Sequence, residues 1–198
     1  RLRVSKDSYF KNVLAAARFE TGRQLAKVGK PLDRTEWLMS PPTVNAYYNP
    51  ALNEMVFPAG ILQAPFFNRA APEPVNYGAI GMVVGHELTH GFDDQGRKYD
   101  AKGNLTDWWT PEVARDFDRR AECLVEQYAA YETAPGVKLN GKLTLGENIA
   151  DLGGLRLAYA AMQAARGEKE VAPEVAGFGP EEQFFVGYAQ SWCAKYRE

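Results

Sequence analysis

The chain has 198 residues, of which 45% are hydrophobic and 24% are charged, a composition able to bury the core of one soluble globular domain. Its 23 Lys and Arg residues against 25 Asp and Glu residues leave a formal net charge of -2, so no basic surplus is present to attract nucleic acid or an anionic membrane. Histidine occurs only at His86 and His90, and cysteine only at Cys123 and Cys193. Two cysteines exclude a disulfide scaffold and a metal site built from four thiolates.

Hydrophobic spacing predicts a mainly α fold with a small β element. Segments with apolar residues at near-helical intervals are expected to form helices over residues 5–27, 77–92, 110–131, 145–166 and 180–196. Ser5 or Asp7 is the expected cap of the first helix, and Thr110 followed by Pro111 marks the start of the third. Short β-forming segments at 44–48 and 54–57 predict a strand pair.

Two connecting segments have signatures of their own. The polar, glycine-containing stretch from Asp93 to Asp107 is expected to be a solvent-exposed loop. Asn140-Gly141, between alternating residues, predicts a tight turn. The sequence contains no apolar run of 18 residues and no signal-peptide pattern, so we expect neither membrane contact nor a targeting signal from this segment.

The most apolar predicted helix contains the pattern His-Glu-x-x-His, formed by His86, Glu87 and His90. Residues i and i+4 lie one helical turn apart on the same face, so both imidazoles can bind one ion. Zinc suits this arrangement because a catalytic zinc site keeps three protein ligands and a water, and Glu87 can act on that water as general base. The alternative is a chance meeting of these residue types. It is disfavoured because a buried carboxylate without a compensating cation or donor is costly.

The third ligand should be a carboxylate, because both histidines are already used. The best candidate is Glu147, which shares one helix face with Asp151. The same residues also fit a capping box, in which Thr144 caps the helix and Glu147 returns to the cap backbone. Spacing leaves these two alternatives open. Asp151 and Asp93 could each accept the N–H of a ligand imidazole, although Asp93 also fits an ordinary surface position in a turn that ends a helix.

Four short motifs follow one another along the chain. They are Val44-Asn45-Ala46-Tyr47-Tyr48, Val56-Phe57-Pro58-Ala59-Gly60-Ile61-Leu62, Gly91-Phe92-Asp93-Asp94 directly after the histidine motif, and Gly146-Glu147-Asn148-Ile149-Ala150-Asp151. Together they resemble the neprilysin family of zinc metallopeptidases, which includes the endothelin-converting enzymes and bacterial relatives. The resemblance implies a thermolysin-like catalytic domain with one zinc ion per chain as cofactor. It also implies that Glu147 is the third zinc ligand beside His86 and His90.

The same resemblance implies which residues contact a peptide substrate. Asn45 and Ala46 match edge-strand residues that hold the substrate backbone, and an extended peptide can add to an exposed strand through main-chain hydrogen bonds. The residues that match the family's pocket for a large hydrophobic side chain after the scissile bond are Ile61, Phe66, Met82, Val83 and Trp192. Asp93 and Asp151 match acidic positions behind the zinc ligands, and a catalytic role is implied for Glu87 and Asp151.

The expected function is that of a zinc metalloendopeptidase that cleaves short peptides on the amino side of large hydrophobic residues. Glu87 is expected to deprotonate a zinc-bound water. Members of the family are far longer, so residues 1–198 are expected to be a partial catalytic domain without the enclosing N-terminal lobe and the extreme C-terminal segment. In the family, that segment carries a His that stabilises the oxyanion and an Arg that helps to bind substrate.

Further expectations also rest on the resemblance. The partners are peptide substrates and the missing parts of the parent chain, and the location is extracytoplasmic. Cys123 and Cys193 match cysteines that pair with partners outside this region, so they are not expected to be bonded to each other. One alternative function is a catalytically incompetent zinc-binding fragment or interaction module, and another is a metal-free helical domain.

Overall fold

The computed structural model describes residues 2–167 and 174–194. The chain divides into two compact units, Arg1–Trp37 and Leu38–Glu198. The first unit contains helix α1, Tyr9–Leu25. The residue that caps α1 is Ser8, whose side chain accepts a hydrogen bond from the backbone N–H of Lys11.

The predicted cap of α1 at Ser5 or Asp7 is therefore wrong, although the helix itself is confirmed. Ser8 is the residue whose extended backbone (φ -157°, ψ 116°) turns its hydroxyl toward the first helical turn. The hydroxyl of Ser5 instead accepts a hydrogen bond from the backbone N–H of Asp7 at 3.3 Å.

The second unit begins with a two-stranded antiparallel sheet, β1 (Tyr47–Asn49) and β2 (Glu54–Val56). Tyr47 pairs with Val56, and Asn49 pairs with Glu54. This confirms the predicted strand pair, with both strands shorter than expected. Among residues 2–167 and 174–194, β1 pairs with β2 alone, so its other edge is open.

The remaining helices and strands belong to the same unit. They are α2 (Glu73–Asn76), a π-helical turn (Tyr77–Gly81), α3 (Met82–His90), α4 (Pro111–Ala129), β3 (Glu132–Ala134), β4 (Val137–Lys138), α5 (Leu145–Arg166) and α6 (Pro180–Ser191). All predicted helices are confirmed in place, and the mainly α fold with a small β element is therefore confirmed. The last helix was expected to reach residue 196, but it ends at Ser191 with Trp192 as its C-cap, so its predicted end is wrong; residues 195 and 196 lie outside the described residues.

The predicted tight turn at Asn140-Gly141 is confirmed. The backbone carbonyl of Asn140 accepts hydrogen bonds from the N–H groups of Leu143 and Thr144, which lead into α5. The hairpin between β3 and β4 turns earlier in the chain, at Pro135-Gly136, where Gly136 has φ +75°.

The stretch from Asp93 to Asp107 was expected to be a solvent-exposed loop, and this expectation is wrong for part of it. Asp93 and Gly96 are buried, because the Asp93 carboxylate accepts hydrogen bonds from the backbone N–H groups of Gln95 and Gly96 and folds the chain around itself. A short 3-10 turn follows at Gly96–Lys98.

The core of the second unit lies where α3, α5 and α6 meet. Its fully buried members are Met82, Ala158, Met162 and Phe184. Within the part of the chain described above, none of the helices has both the length and the apolar character needed to cross a bilayer.

Helices α3 and α5 pack with their backbones in direct contact. A Cβ atom on Gly85 would lie 2.8 Å from the carbonyl oxygen of Gly154, and one on Gly154 would lie 2.7 Å from the backbone nitrogen of His86. Real Cβ atoms essentially never approach so closely, so glycine is required at both positions. This contact brings the histidine face of α3 against the first two turns of α5.

Candidate metal centre

His86 and His90 present one nitrogen atom each to a common point. They lie one turn apart on α3, and their Nε2 atoms are 2.9 Å apart. Their rings meet edge to face at 87°, with ring centroids 4.6 Å apart. The i, i+4 spacing of the sequence motif therefore produces the convergence that it predicts.

The other nitrogen of each ring binds a carboxylate. His86 Nδ1 lies 2.8 Å from Asp151 Oδ1, and His90 Nδ1 lies 2.7 Å from Asp93 Oδ2. Because an ionised carboxylate can only accept hydrogen bonds, each Nδ1 carries a proton. When a ring carries no second proton, its Nε2 atom points a lone pair at the other ring. Two lone pairs at this distance repel each other unless a proton or a metal cation lies between them.

Glu147 adds a third acceptor to this point. Its Oε2 atom lies 3.3 Å from His86 Nε2 and 3.7 Å from His90 Nε2. Three ligands at about 2.0–2.1 Å from a tetrahedral zinc ion are separated by about 3.3–3.4 Å. The three observed separations of 2.9, 3.3 and 3.7 Å scatter around that value. Two imidazoles and one carboxylate also form a donor set that catalytic zinc sites use, so these residues fit a zinc ion.

The capping box considered for Glu147 does not form. Thr144 makes no side-chain cap hydrogen bond to α5, and its hydroxyl oxygen instead accepts a hydrogen bond from Asn148 Nδ2 at 2.9 Å. The Glu147 carboxylate lies at the imidazoles and not at the cap backbone. A carboxylate oxygen of Glu87 also lies within 4.8 Å of a nitrogen of each imidazole, so the centre contains two acidic side chains on different helices.

The carboxylates hold a proton on the imidazoles of the metal-free chain. Burial lowers the pKa of His86, but hydrogen bonds with Asp151 and Glu147 outweigh it and raise this pKa to about 9. Burial also lowers the pKa of His90, and there the hydrogen bond with Asp93 outweighs it and raises the pKa above its usual value. The pKa of Glu147 is lowered because it accepts a hydrogen bond from His86. The cluster therefore attracts positive charge.

Glu87 is a buried carboxylate of the centre, with only 5% of its surface exposed. Burial raises the pKa of Glu87, while the two imidazoles and a hydrogen bond from the backbone N–H of Tyr48 in β1 lower it, and the net shift is upward. A carboxylate with a raised pKa takes up and releases a proton more readily near neutral pH, as a general base must.

Two adjoining cavities lie beside the centre. The first, about 380 Å³, is lined by Asn45, Ala46, Tyr48, Pro50, Gln95 and the residues of the centre. The second, about 320 Å³, is lined by Val44, Asn45, Ile61, Phe66, Met82, Val83, His86, Glu87, Ser191 and Trp192. All seven residues expected to contact substrate thus line one or both cavities, although their roles stay predictions.

Several residues of these surroundings were not identified from the sequence. They are the backbone N–H of Tyr48, which faces Glu87, the N–H groups of Gln95 and Gly96, which hold Asp93, and the pocket residues Val44 and Ser191. The only sequence signal for Val44 and Ser191 is that they directly precede Asn45 and Trp192, which were identified.

Cys123 and Cys193 are exposed and unbonded, and they lie outside both cavities.

Comparison with known sequences gives a family match and several similar proteins. The model of Peptidase family M13 matches residues 45–198. An endothelin-converting enzyme homolog of Locusta migratoria is 48% identical over 195 residues, which cover 98% of this chain and 27% of the insect protein. Endothelin-converting enzyme 1 of Homo sapiens is 49% identical over 191 residues, covering 95% of this chain and 24% of the human protein. The chain thus spans about a quarter of the length of these curated relatives.

Solved structures resemble the fold as well. The zinc metalloprotease ZMP1 of Mycobacterium tuberculosis, in complex with an inhibitor, is 47% identical and superimposes with a TM-score of 0.87, covering 96% of this chain and 30% of that one. PEPO of Lactobacillus rhamnosis is 36% identical with a TM-score of 0.78, covering 99% of this chain and 30% of that one.

Proposed function

Since the chain belongs to Peptidase family M13, we propose that it supplies the zinc site and the peptide-cleaving residues of a metalloendopeptidase. The observation that carries the proposal is the convergence of His86 Nε2, His90 Nε2 and Glu147 Oε2, with separations of 2.9, 3.3 and 3.7 Å. When both imidazoles are neutral and Glu147 is ionised, each of these three atoms is an acceptor and none is a donor, so a bound cation satisfies all three.

In this proposal, His86, His90 and Glu147 hold one zinc ion per chain. Zinc in such a site supplies Lewis-acid chemistry, because it lowers the pKa of water to about 7 and polarises a carbonyl group. Asp151 and Asp93 accept the Nδ1–H groups and keep both rings oriented with Nε2 toward the ion, an arrangement that strengthens histidine ligands.

Glu87 is the general base of the proposed reaction. Its carboxylate accepts a proton from the attacking water while the water oxygen bonds to the peptide carbonyl carbon. It then donates that proton to the leaving amine nitrogen as the C–N bond breaks. The backbone N–H of Tyr48 favours the ionised form of this carboxylate and lowers its pKa, against the effect of burial.

The open edge of the sheet supports binding of an extended peptide. β1 is paired on one side only among the described residues, and the exposed Asn45 and the buried Ala46 directly precede its first residue, Tyr47. A peptide lying along this edge gains main-chain hydrogen bonds. The apolar cavity beside His86 and Glu87 then receives a large hydrophobic side chain on the carboxyl side of the cleaved bond.

A peptide with a fluorophore and a quencher, containing Phe after one bond, tests the proposal together with metal analysis. We expect about one zinc ion per chain and cleavage on the amino side of Phe, both abolished by a chelator and restored by added zinc. Absence of bound zinc contradicts the proposed site.

A second candidate function is that of a zinc-binding module without cleavage activity of its own. The sequence contains two histidines, and both lie in the metal centre, so no third imidazole is present to stabilise an oxyanion. The same assay separates the candidates, because a stoichiometric zinc content without chelator-sensitive cleavage supports the module.

An extracytoplasmic location stays a prediction that rests on the family resemblance.

A further inference from the structure

Asp94 is a charged residue whose position the proposed reaction does not explain. Its Oδ1 atom is buried and has no hydrogen-bond partner among the residues that the structure describes. Its Oδ2 atom accepts a hydrogen bond from Gln95 Nε2 at 2.6 Å. Burying a carboxylate oxygen without a donor is costly, so a favourable interaction of another kind has to hold Asp94 in place.

The first turn of α5 provides that interaction. A Cβ atom on Gly146 would lie 3.1 Å from Asp94 Oδ1 and 3.2 Å from Asp93 Oδ2, so two carboxylates lie against this turn. The first N–H groups of a helix lack intrahelical acceptors and carry partial positive charge, which attracts anions. Thr144 contributes no side-chain cap to these groups. The carboxylates of the neighbouring loop therefore add negative charge at this helix start, beside that of Glu147 in the first turn.

The position of this turn decides where Glu147 lies. Glu147 follows Gly146 directly, and 70% of its side chain is exposed, so little packing holds the side chain itself. Its Oε2 atom nevertheless has to stay within 3.3 and 3.7 Å of the two imidazole nitrogens. The constraint has to come from the backbone of the first turn.

We propose that Asp94 is a positioning residue that holds the first turn of α5 against the chain leaving α3, and thereby keeps Glu147 at the two imidazoles. This inference rests on the proposed zinc site. It differs from the roles of Asp93 and Asp151, because Asp94 acts on the carboxylate ligand and not on a histidine.

A double-mutant cycle on the 198-residue chain tests this inference. Zinc affinity is measured by competition with a chromophoric chelator for the unchanged chain, Asp94→Asn, Glu147→Gln and the double variant. Replacing a residue that orients a metal ligand typically weakens binding about 10–100-fold. We expect a loss of about 10-fold or more from Asp94→Asn when Glu147 is present, and less than about 2-fold in the Glu147→Gln background, because coupled residues are not additive.

Equal losses in both backgrounds overturn the inference, because Asp94 then acts on the ion through its charge alone. The absence of any loss also overturns it. A chain that binds no zinc before any substitution contradicts the proposed function instead, so the two failures are distinguishable. Asp107→Asn, which removes an exposed carboxylate of the same loop, is the matched control and should leave zinc affinity unchanged. Thermal unfolding of the metal-free proteins shows whether Asp94→Asn leaves the fold intact.

Gly146→Ala provides an independent test that keeps every charge. The added Cβ atom would meet both carboxylates at 3.1 and 3.2 Å, so the turn or the loop has to move by a few tenths of an ångström. We expect weaker zinc binding and an altered visible spectrum of the Co²⁺-substituted chain, because the geometry at the ion changes. Gly22→Ala in α1, where an added Cβ meets nothing within 4 Å, is the control. Unchanged affinity and an unchanged Co²⁺ spectrum in Gly146→Ala contradict the inference.

Discussion

The metal-free chain should lose stability as the pH rises from about 6.5 to 9. The cause is His86, whose pKa is raised from 6.5 to about 9, since its hydrogen bonds with Asp151 and Glu147 outweigh the opposing effect of burial. The folded state therefore keeps a proton on His86 over this pH range, whereas the unfolded chain releases it. The stabilisation is fully present below pH 6.5 and is lost as the pH rises through the folded-state pKa.

The size of this loss follows from the pKa change. Each pKa unit corresponds to about 1.4 kcal/mol, so a rise from 6.5 to about 9 contributes about 3 kcal/mol to the free energy of unfolding. The His86 side chain is 16% exposed, so solvent screens its interactions only weakly. This contribution is a substantial part of the total stability of a domain, which is typically about 5–15 kcal/mol.

Urea unfolding in the presence of a chelator, at intervals between pH 6 and pH 9.5, measures the effect. Asp151→Asn removes one of the two hydrogen-bond partners that raise the pKa, so this variant should be less stable at pH 6 and should vary less with pH. The zinc-loaded chain should lack this pH dependence, because a metal ligand has already released its proton. An equal free energy of unfolding at pH 6.5 and pH 9, or an unchanged pH dependence in Asp151→Asn, would refute the reasoning.

Three further predictions concern the reaction, the helix contact and the pocket. Glu87→Gln should keep its zinc, measured by metal analysis, and should lose about 100-fold or more in peptide cleavage, because general-base catalysis contributes about 10²–10⁴-fold; full activity would exclude Glu87 as the base. Gly154→Ala should destabilise the fold by about 1–3 kcal/mol in thermal unfolding, because the new Cβ would lie 2.7 Å from the backbone nitrogen of His86; unchanged stability would contradict the close packing of α3 and α5. Phe66→Ala should raise the KM for a peptide with Phe after the cleaved bond more than for one with Ala there, and equal effects on both peptides would remove Phe66 from the pocket.

Features set by local spacing could be predicted from the sequence. The alternation of apolar and polar residues predicts the helices and the strand pair, because a helix face repeats every 3.6 residues and a strand face every two. The same regularity places His86 and His90 one turn apart with Nε2 atoms converging. The cap of α1 was predicted less well, because Ser5, Asp7 and Ser8 are all polar residues able to cap a helix within a few positions.

The role of Glu147 depends on contacts between distant segments. Spacing within α5 is compatible with a capping box and with a metal ligand, and both alternatives use the same residues. The structure places the Glu147 carboxylate at the imidazoles because Gly85 and Gly154 let two helix backbones touch. The same contact brings Asp151 to His86, which is 65 residues away in sequence. Helical and strand periodicity carry no information about contacts between residues so far apart in the chain.

The sequence by itself thus determined the fold class and the two histidines of the proposed metal centre, and it favoured a carboxylate as the third ligand. Those results follow from residue counts and from geometry within one helical turn. Spacing left the third ligand open and the family resemblance implied Glu147; the tertiary structure places this carboxylate at the histidines. Only the tertiary structure decided that Asp93 is buried against His90 and that Asp94 lies at the start of α5. These contacts depend on how closely separate backbones can approach each other, and that distance is set by packing between segments far apart in the chain.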